Sequence, residues 1–167
     1  MAKHPIQLLG NTNVEQLSSY LEDESPRCTV IVLGTFFEEW LKSILGRKKI
    51  FKKLVDLGAD FGLLSPNEKD DLHVLRKMRN GFAHELARRD FNADDEAKME
   101  GLKPWQTQLP TGSVSQIENT DARTKLVYVM GIIAFRIQRR KKSAKKTGPC
   151  PEPTVMDFAE WPPVVAR

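Results

Sequence analysis

The spacing of apolar residues along the chain predicts a protein built from helices. Over residues 25–45 apolar side chains recur at steps of three and four, which is the pattern of a helix with one buried side. Ser25-Pro26 is a helix start signal and Gly46 is a stop signal. A second long helix is predicted over residues 121–142, where apolar residues lie nearly all round. That pattern is typical of a central helix or of one that lines a dimer interface.

A third helix has the clearest start and carries the candidate chemistry. Ser65 supplies an N-cap, Pro66 a proline at the first helical position, and Glu68 the acid of a capping box. The helix is therefore predicted to begin near Ser65. Its buried stripe consists of Leu72, Leu75, Met78 and Phe82.

Shorter elements complete the pattern. A basic amphipathic helix is expected to begin at Arg47 and to loosen at Gly58 and Gly62. An acidic stretch at residues 90–100 can form a short helix, and a capping box near the N-terminus predicts another at residues 12–21. These elements alternate with loops, and no run of residues has the pattern of a strand.

The predicted fold class is all-α. We expect a bundle of four main helices plus a short N-terminal helix, packed around one core. Residues 1–142 are assigned to this single domain by length and pattern. Residues 143–167 are assigned to a tail that is first basic and then rich in proline.

Helical stepping of about 100° per residue divides the third helix into faces. Arg79 lies at the edge of the apolar stripe. The row opposite the stripe contains His73, Lys77, Asn80 and His84. His84 therefore faces away from the core of its own chain, and it can do chemistry only if a second subunit, another segment or a ligand encloses it.

Residues 79–84 read Arg-Asn-Gly-Phe-Ala-His, which resembles the R-N-x-x-x-H motif of the HEPN superfamily. The wider run, from Phe36-Phe37-Glu38-Glu39-Trp40-Leu41 through Phe51-Lys52-Lys53-Leu54 and Gly62-Leu63-Leu64, resembles the mannitol operon repressor branch of that superfamily. The resemblance covers roughly residues 28–140. It implies a small helical domain, and many members are metal-independent ribonucleases that work as dimers.

The resemblance also implies roles for three residues. His84 would move the proton of the 2′-hydroxyl or of the leaving oxygen, because the ordinary histidine pKa lies near neutral pH. Arg79 would stabilise the charge that develops on the phosphate, for which a guanidinium is well shaped. Asn80, four residues before His84 and on the same side, would orient the imidazole or contact a phosphate.

The spacing of Arg79 and His84 presents a geometric difficulty. Five residues apart, they diverge by about 140° on an ideal helix. The arginine can curl around, the helix can break near Gly81, or a twofold dimer can combine Arg79 of one chain with His84 of the other. Alternatively, Asn80-Gly81 is an ordinary helix terminator and these polar side chains form a solvated face.

Two acidic residues of the first long helix bear on this site. Glu38 is predicted to be a solvated side chain that can form a surface pair with Lys42 at four residues' distance. The resemblance implies an acidic residue near the R-N-x-x-x-H segment, and we assign this role to Glu39. Glu39 would hold the guanidinium of Arg79 or tune His84, unless it is simply solvated.

Basic residues are the candidates for nucleic-acid contacts. The formal net charge of +4 is modest and does not itself establish binding. The predicted basic helix with Lys52 and Lys53 can neutralise phosphates or can simply be solvated. Cations at the end of the last helix also suit its dipole, so phosphate binding and capping stay open. The nucleic-acid candidates are Lys77, Arg76, Arg139, Arg140, Lys141 and Lys142.

Other features limit the chemistry and the compartment. Cys28 and Cys150 lack the spacing of metal ligands and are typical of free thiols in a reducing cytoplasm. We therefore expect no metal site, and we expect no cofactor. We also expect no membrane segment, because the longest apolar run is too short to span a bilayer. The N-terminal apolar patch is too short for a signal peptide.

Two functions from different classes fit these expectations. The first is a HEPN-type, metal-independent endoribonuclease in an RNA-restricting, toxin or defence setting, with RNA as substrate and a homodimer as the working form. The second is a non-catalytic regulator that resembles the mannitol operon repressor and modulates transcription through a protein partner. A further reading pairs the chain with an antitoxin, such as a nucleotidyltransferase that modifies it.

Overall fold

The computed structural model describes residue 21 and residues 23–102, 121–144, 148–149 and 151. Within this part the fold is all-helical, which confirms the predicted fold class. The helices are α1 (Pro26–Leu45), α2 (Phe51–Asp60), α3 (Pro66–His84), α4 (Ala93–Glu100) and α5 (Ala122–Arg140). The predicted N-terminal helix lies outside the described residues except for Leu21, and so does most of the predicted tail.

The predicted helix starts are confirmed by their caps. The Ser25 hydroxyl accepts a hydrogen bond from the Cys28 amide at 3.3 Å, and Gly46 ends α1 with a φ of 61°. At α3, the Ser65 hydroxyl accepts from the Glu68 amide at 3.2 Å, and the Glu68 carboxylate accepts from the Ser65 amide at 2.9 Å. Both bonds of the capping box are present, so this start is fixed locally.

The basic helix begins later than predicted. Residues 47–50 are not helical, and α2 starts only at Phe51. The left-handed Gly46 turns the chain away from α1, and Ile50 is extended at φ −68° and ψ 152°. Gly58 lies buried inside α2, and the turn after the helix occurs at Gly62, whose φ is 70°.

One hydrophobic core holds the described helices together. α1 packs on α2, α3 and α5, and α4 packs on α5. Aromatic side chains of α1 occupy the centre, with the Phe36 and Phe37 rings 5.3 Å apart in an edge-to-face arrangement. The buried stripe predicted for α3 is confirmed: its members are Leu72, Leu75, Met78 and Phe82, each at most 1% exposed.

α1 and α3 run antiparallel. Near the start of α1, one nitrogen of the Arg27 guanidinium donates to the carbonyl oxygens of Glu85, Leu86 and Arg88, at 3.1, 2.8 and 3.0 Å. These bonds cap the end of α3 and hold the turn that follows it. Further along α1, Gly34 lies against Arg79. The middle of α1 therefore faces the segment that carries the candidate site.

A buried ion cluster joins the start of α3 to the end of α5. The Glu68 carboxylate is 1% exposed. It accepts from Arg136 at 3.4 Å and from Arg140 over a shorter distance. A buried carboxylate requires such charged donors, because an unpaired one would be strongly destabilising.

None of the described helices combines the length and the apolar character that a membrane-spanning helix needs.

Candidate functional site

α3 is unbroken through the candidate motif. The helix continues to His84, and the Glu85 amide donates to the Gly81 carbonyl at 3.0 Å. Of the alternatives that were open, a helix break near Gly81 is therefore absent, and termination of the helix at Asn80-Gly81 is absent as well. Gly81 itself is helical, and its φ is not positive, so the residue does not adopt the left-handed conformation of a helix-terminating glycine.

Gly81 makes room for an arginine from the next segment. A Cβ placed on Gly81 would lie 3.1 Å from Nη1 of Arg88. The Arg88 guanidinium lies 4.3 Å from the Phe82 ring centroid and forms an ion pair with the buried Asp95 of α4. No sequence pattern indicates this packing, because it depends on the path of the turn after His84.

The solvent face of α3 carries Lys77, Asn80 and His84, and all three are exposed. His73, predicted for the same row, is different. Its Nε2 lies 3.2 Å from Oδ1 of Asp56 on α2, so this end of the row is covered by α2. Asn80 and His84 therefore form the accessible part of the candidate site, one turn apart.

Arg79 lies on a different side of the helix, against α1. Its Nη1 donates to Oε2 of Glu38 at 2.6 Å and to the Gly34 carbonyl at 3.3 Å. The guanidinium carbon lies 5.5 Å from the Phe51 ring centroid, which is within the range of a cation–π contact. The side chain is 25% exposed, so it is accessible from one side only.

Gly34 permits this arrangement. A Cβ on Gly34 would lie 2.4 Å from Cδ of Arg79 and 3.2 Å from its Cγ. These distances are below van der Waals contact, so only glycine lets the arginine cross α1 at this point. A glycine in the middle of a predicted helix is a sequence signal for such a close approach.

The acidic partner of Arg79 is Glu38, and the assignment of that role to Glu39 is wrong. The Glu39 carboxylate lies 2.7 Å from Nζ of Lys42 and is 46% exposed. One residue on a helix is a turn of about 100°, which points Glu39 away from α3. Glu38 follows Gly34 by one full turn and shares its face. The predicted Glu38 pair with Lys42 is confirmed at 3.2 Å. The prediction that Glu38 is simply solvated is wrong, because its side chain is 18% exposed and is bound by Arg79 from α3.

Glu38 is held in its charged form by these neighbours. Burial by itself would raise the pKa of Glu38, but hydrogen bonds from Arg79 and Lys42, together with their charges, lower it below its ordinary value. The ion pair is therefore present at neutral pH, and the guanidinium of Arg79 has a fixed position.

Arg79 and His84 do not converge within one chain. The unbroken helix keeps them about 140° apart. Arg79 extends toward Glu38 on α1 and does not curl toward His84, which is exposed. Two of the arrangements that would bring Arg79 and His84 together, a curled arginine and a broken helix, are absent from this chain. The remaining arrangement, a twofold dimer, requires a second chain.

The nucleic-acid candidates fall into two groups. The exposed ones are Lys77, Arg139, Lys141 and Lys142. The guanidinium of Arg139 lies 5.9 Å from the Phe135 ring centroid. Arg76 is only partly exposed, and its Nε is buried without a hydrogen-bond partner among the described residues.

Arg140 is the candidate that the structure turns inward. It pairs with the buried Glu68 carboxylate, and its Nη1 also donates to the Leu63 carbonyl at 3.2 Å. Nucleic-acid binding by Arg140 stays a prediction, and the structure adds a second role, because its guanidinium neutralises a buried carboxylate. The sequence could not identify this role, since Glu68 lies on a distant helix.

A surface groove adjoins the Arg79 ion pair. It has a volume of about 470 Å³ and lies between the end of α1 and the connection to α2. Its lining residues are Glu38, Glu39, Lys42, Lys48, Lys49 and Ile50. We call it the basic groove. Among the described residues there is no group of three or more histidine, cysteine or acidic side chains that could hold a metal ion.

A second groove, of about 310 Å³, lies at the start of α5 and is predominantly acidic. Its lining includes Glu24, Asp90, Glu96 and Asp121. The Asp121 side chain is the N-cap of α5, and hydrogen bonds to Thr124 oppose burial and lower its pKa. Part of this acidic lining is therefore accounted for by the start of the helix.

Comparison of this chain with protein-family models, with curated protein sequences and with solved structures finds no significant match.

Proposed function

We propose that this chain is a metal-independent endoribonuclease of the HEPN type that works as a dimer. Its site would combine Arg79, Asn80 and His84 from two chains, in an RNA-restricting, toxin or defence setting. The observation that carries this proposal is the placement of Asn80 and His84 on an exposed, unbroken helix face, beside an arginine fixed by Glu38.

The chemistry needs only these side chains and the RNA itself. The 2′-oxygen attacks the adjacent phosphorus, a new P–O2′ bond forms, and the P–O5′ bond breaks. The 2′-hydroxyl loses a proton and the 5′-oxygen gains one, and an imidazole such as that of His84 can carry out a transfer of this kind. The products are a 2′,3′-cyclic phosphate and a free 5′-hydroxyl.

Arg79 would stabilise the negative charge that builds up on the phosphate oxygens. One terminal nitrogen, Nη1, is taken by Glu38 and Gly34, and the side chain is 25% exposed. A guanidinium has five N–H donors, so a fixed partner on one edge leaves donors for a phosphate on another. Such a preorganised cation needs no rearrangement during the reaction.

RNA cleavage in the presence of a chelator tests this function. Wild type, Arg79→Ala and His84→Ala should be compared after circular dichroism and light scattering show that they are equally folded and equally oligomeric. We expect cleavage with cyclic-phosphate ends by wild type and a loss of at least about 100-fold in each variant. His73→Ala is the matched control, because it removes a histidine of the same helix that is engaged with Asp56.

The Glu38–Arg79 pair also favours a second candidate function. An arginine that packs on Gly34 and pairs with Glu38 has a structural role whether or not it meets RNA. In a non-catalytic transcriptional regulator of the mannitol operon repressor type, the exposed α3 face would bind a protein partner. If folded wild type cleaves no RNA, or if the variants cleave equally well, this second function replaces the first.

A further inference from the structure

The connection between α1 and α2 carries an unusual density of unpaired positive charge. Arg47, Lys48, Lys49, Lys52 and Lys53 are all exposed, and none of them forms an ion pair within the described part of the chain. Other lysines do find carboxylates. Lys42 pairs with two glutamates, Lys69 with Asp56 and Lys125 with Glu100.

The acidic residues of the basic groove do not offset this charge, because they have other partners. Glu38 is bound by Arg79, and Glu39 is bound by Lys42. Lys48 and Lys49 line the groove and remain uncompensated. When Arg79 is counted with the groove, the four cations are Arg79, Lys42, Lys48 and Lys49, and the two anions are Glu38 and Glu39. The excess is two positive charges.

Two further features of the groove, the start of α2 and the exposed Ile50 side chain, favour binding of an anionic ligand. The N-cap residue of α2, Ile50, provides no side-chain hydrogen bond, and the first turn of the helix contains no acidic residue to offset its positive end. The Ile50 side chain is 64% exposed and lines the groove together with Lys48 and Lys49. An isolated apolar side chain among cations suits a ligand with both charged and flat apolar parts.

We propose that the basic groove, with the flanking cations at positions 47, 52 and 53, binds single-stranded RNA and leads it to Arg79. The choice of RNA rests on the proposed function. Lys48 and Lys49 contact backbone phosphates, and Ile50 supports a base. Glu38 lines the groove and binds Arg79, so a strand in the groove passes beside that guanidinium.

A single strand fits this surface better than a duplex or a protein. In-line attack by a 2′-oxygen requires a flexible backbone, which a regular duplex does not provide. A protein partner would need a larger apolar area than this groove offers. Among the described residues, Ile50 is the only large, strongly exposed apolar side chain in the lining. Unpaired lysines complement phosphates without reading sequence.

Fluorescence anisotropy tests the proposal with the full chain and a labelled oligouridine of about 12 nucleotides. All proteins carry His84→Ala so that the probe is not cleaved. Lys48→Ala with Lys49→Ala is compared with Arg89→Ala with Lys98→Ala, which removes the same charge from α4 and the segment before it, outside the groove and outside the nucleic-acid candidates. Titrations are repeated between about 50 and 200 mM salt.

The groove variant should bind roughly ten- to thirty-fold more weakly at about 0.1 M salt, and its log–log salt slope should fall by about 1.4. The Arg89→Ala with Lys98→Ala control should lose less than about three-fold. Equal losses in both variants, no loss in the groove variant, or no binding by the parent protein would overturn the proposal. Equally tight binding of duplex DNA or polyglutamate would also overturn the assignment to single-stranded RNA.

Cleavage by the same variants with His84 restored separates this proposal from the nuclease function. If RNA binds through the groove but no protein cleaves it, the nuclease function fails and the binding surface stands. If wild type cleaves RNA and Lys48→Ala with Lys49→Ala keeps the same kcat/KM, the groove fails and the nuclease function stands. The expected result is a kcat/KM reduced in proportion to the weaker binding.

Discussion

Replacing Gly34 with alanine should destabilise the protein, although it removes a glycine from the middle of a helix. Helix propensity alone would favour alanine by about 1 kcal/mol. Against this, the new Cβ would lie 2.4 Å from Cδ of Arg79. Overpacking of this kind costs about 1–3 kcal/mol, and a displaced guanidinium also loses its charged hydrogen bond to Glu38. We expect a net loss of about 1–3 kcal/mol in the free energy of unfolding.

Urea unfolding followed by circular dichroism measures this loss. Gly81→Ala is the matched control, since its Cβ would meet only the end of the flexible Arg88 side chain, at 3.1 Å. That variant should be unchanged or more stable by up to about 1 kcal/mol. In an Arg79→Ala background the clash is gone, so Gly34→Ala should then stabilise the protein by up to about 1 kcal/mol, as Gly81→Ala does.

The contact between Gly34 and Arg79 would be contradicted if Gly34→Ala stabilised the otherwise wild-type protein as much as Gly81→Ala does. It would also be refuted if the effect of Gly34→Ala were the same with and without Arg79. Either result would mean that α1 and α3 do not approach through this contact.

Three other substitutions test the ion pairs and caps. Glu68→Gln should lower the free energy of unfolding by about 3 kcal/mol, since it removes the buried negative charge that pairs with Arg140 and Arg136. In the same thermal denaturation, Glu39→Gln at an exposed position should change it by less than about 0.5 kcal/mol. Ser65→Ala should cost about 1 kcal/mol by loss of the capping box, measured by urea unfolding. The folded-state pKa of Glu38 lies below its ordinary value of 4.5, so the stability from its charge is present above that pH and lost as the pH falls further. The difference in unfolding free energy between wild type and Glu38→Gln should therefore shrink from about pH 7 to about pH 3, and a constant difference would contradict the pairing.

Short sequence motifs and the helical period predicted where two helices begin and which face of α3 is buried. The Ser25 and Ser65 caps are written in a few adjacent residues, and both helix starts were confirmed. The apolar stripe of α3 and the position of Arg79 at its edge followed from the helical period. These features need no knowledge of how the helices pack.

Tertiary packing decided the features that the sequence did not predict. Choosing Glu38 over Glu39 as the partner of Arg79 requires the rotation of α1 relative to α3, which the helical period alone does not fix. Gly34 carries a signal for this rotation, because a glycine inside a helix marks a close approach and Glu38 lies one turn further on. Arg140 points to Glu68 across more than seventy residues of sequence, and no local pattern predicts such a contact.

The most direct test of the central claim is cleavage by two defined heterodimers, each co-expressed with two affinity tags and purified through both. The first pairs an Arg79→Ala chain with a His84→Ala chain. The second pairs a wild-type chain with a chain that carries both substitutions. If each site takes Arg79 from one chain and His84 from the other, the first heterodimer should have about half of wild-type activity and the second almost none. Activity in the second and not the first, or no metal-independent cleavage by wild type, would contradict the account.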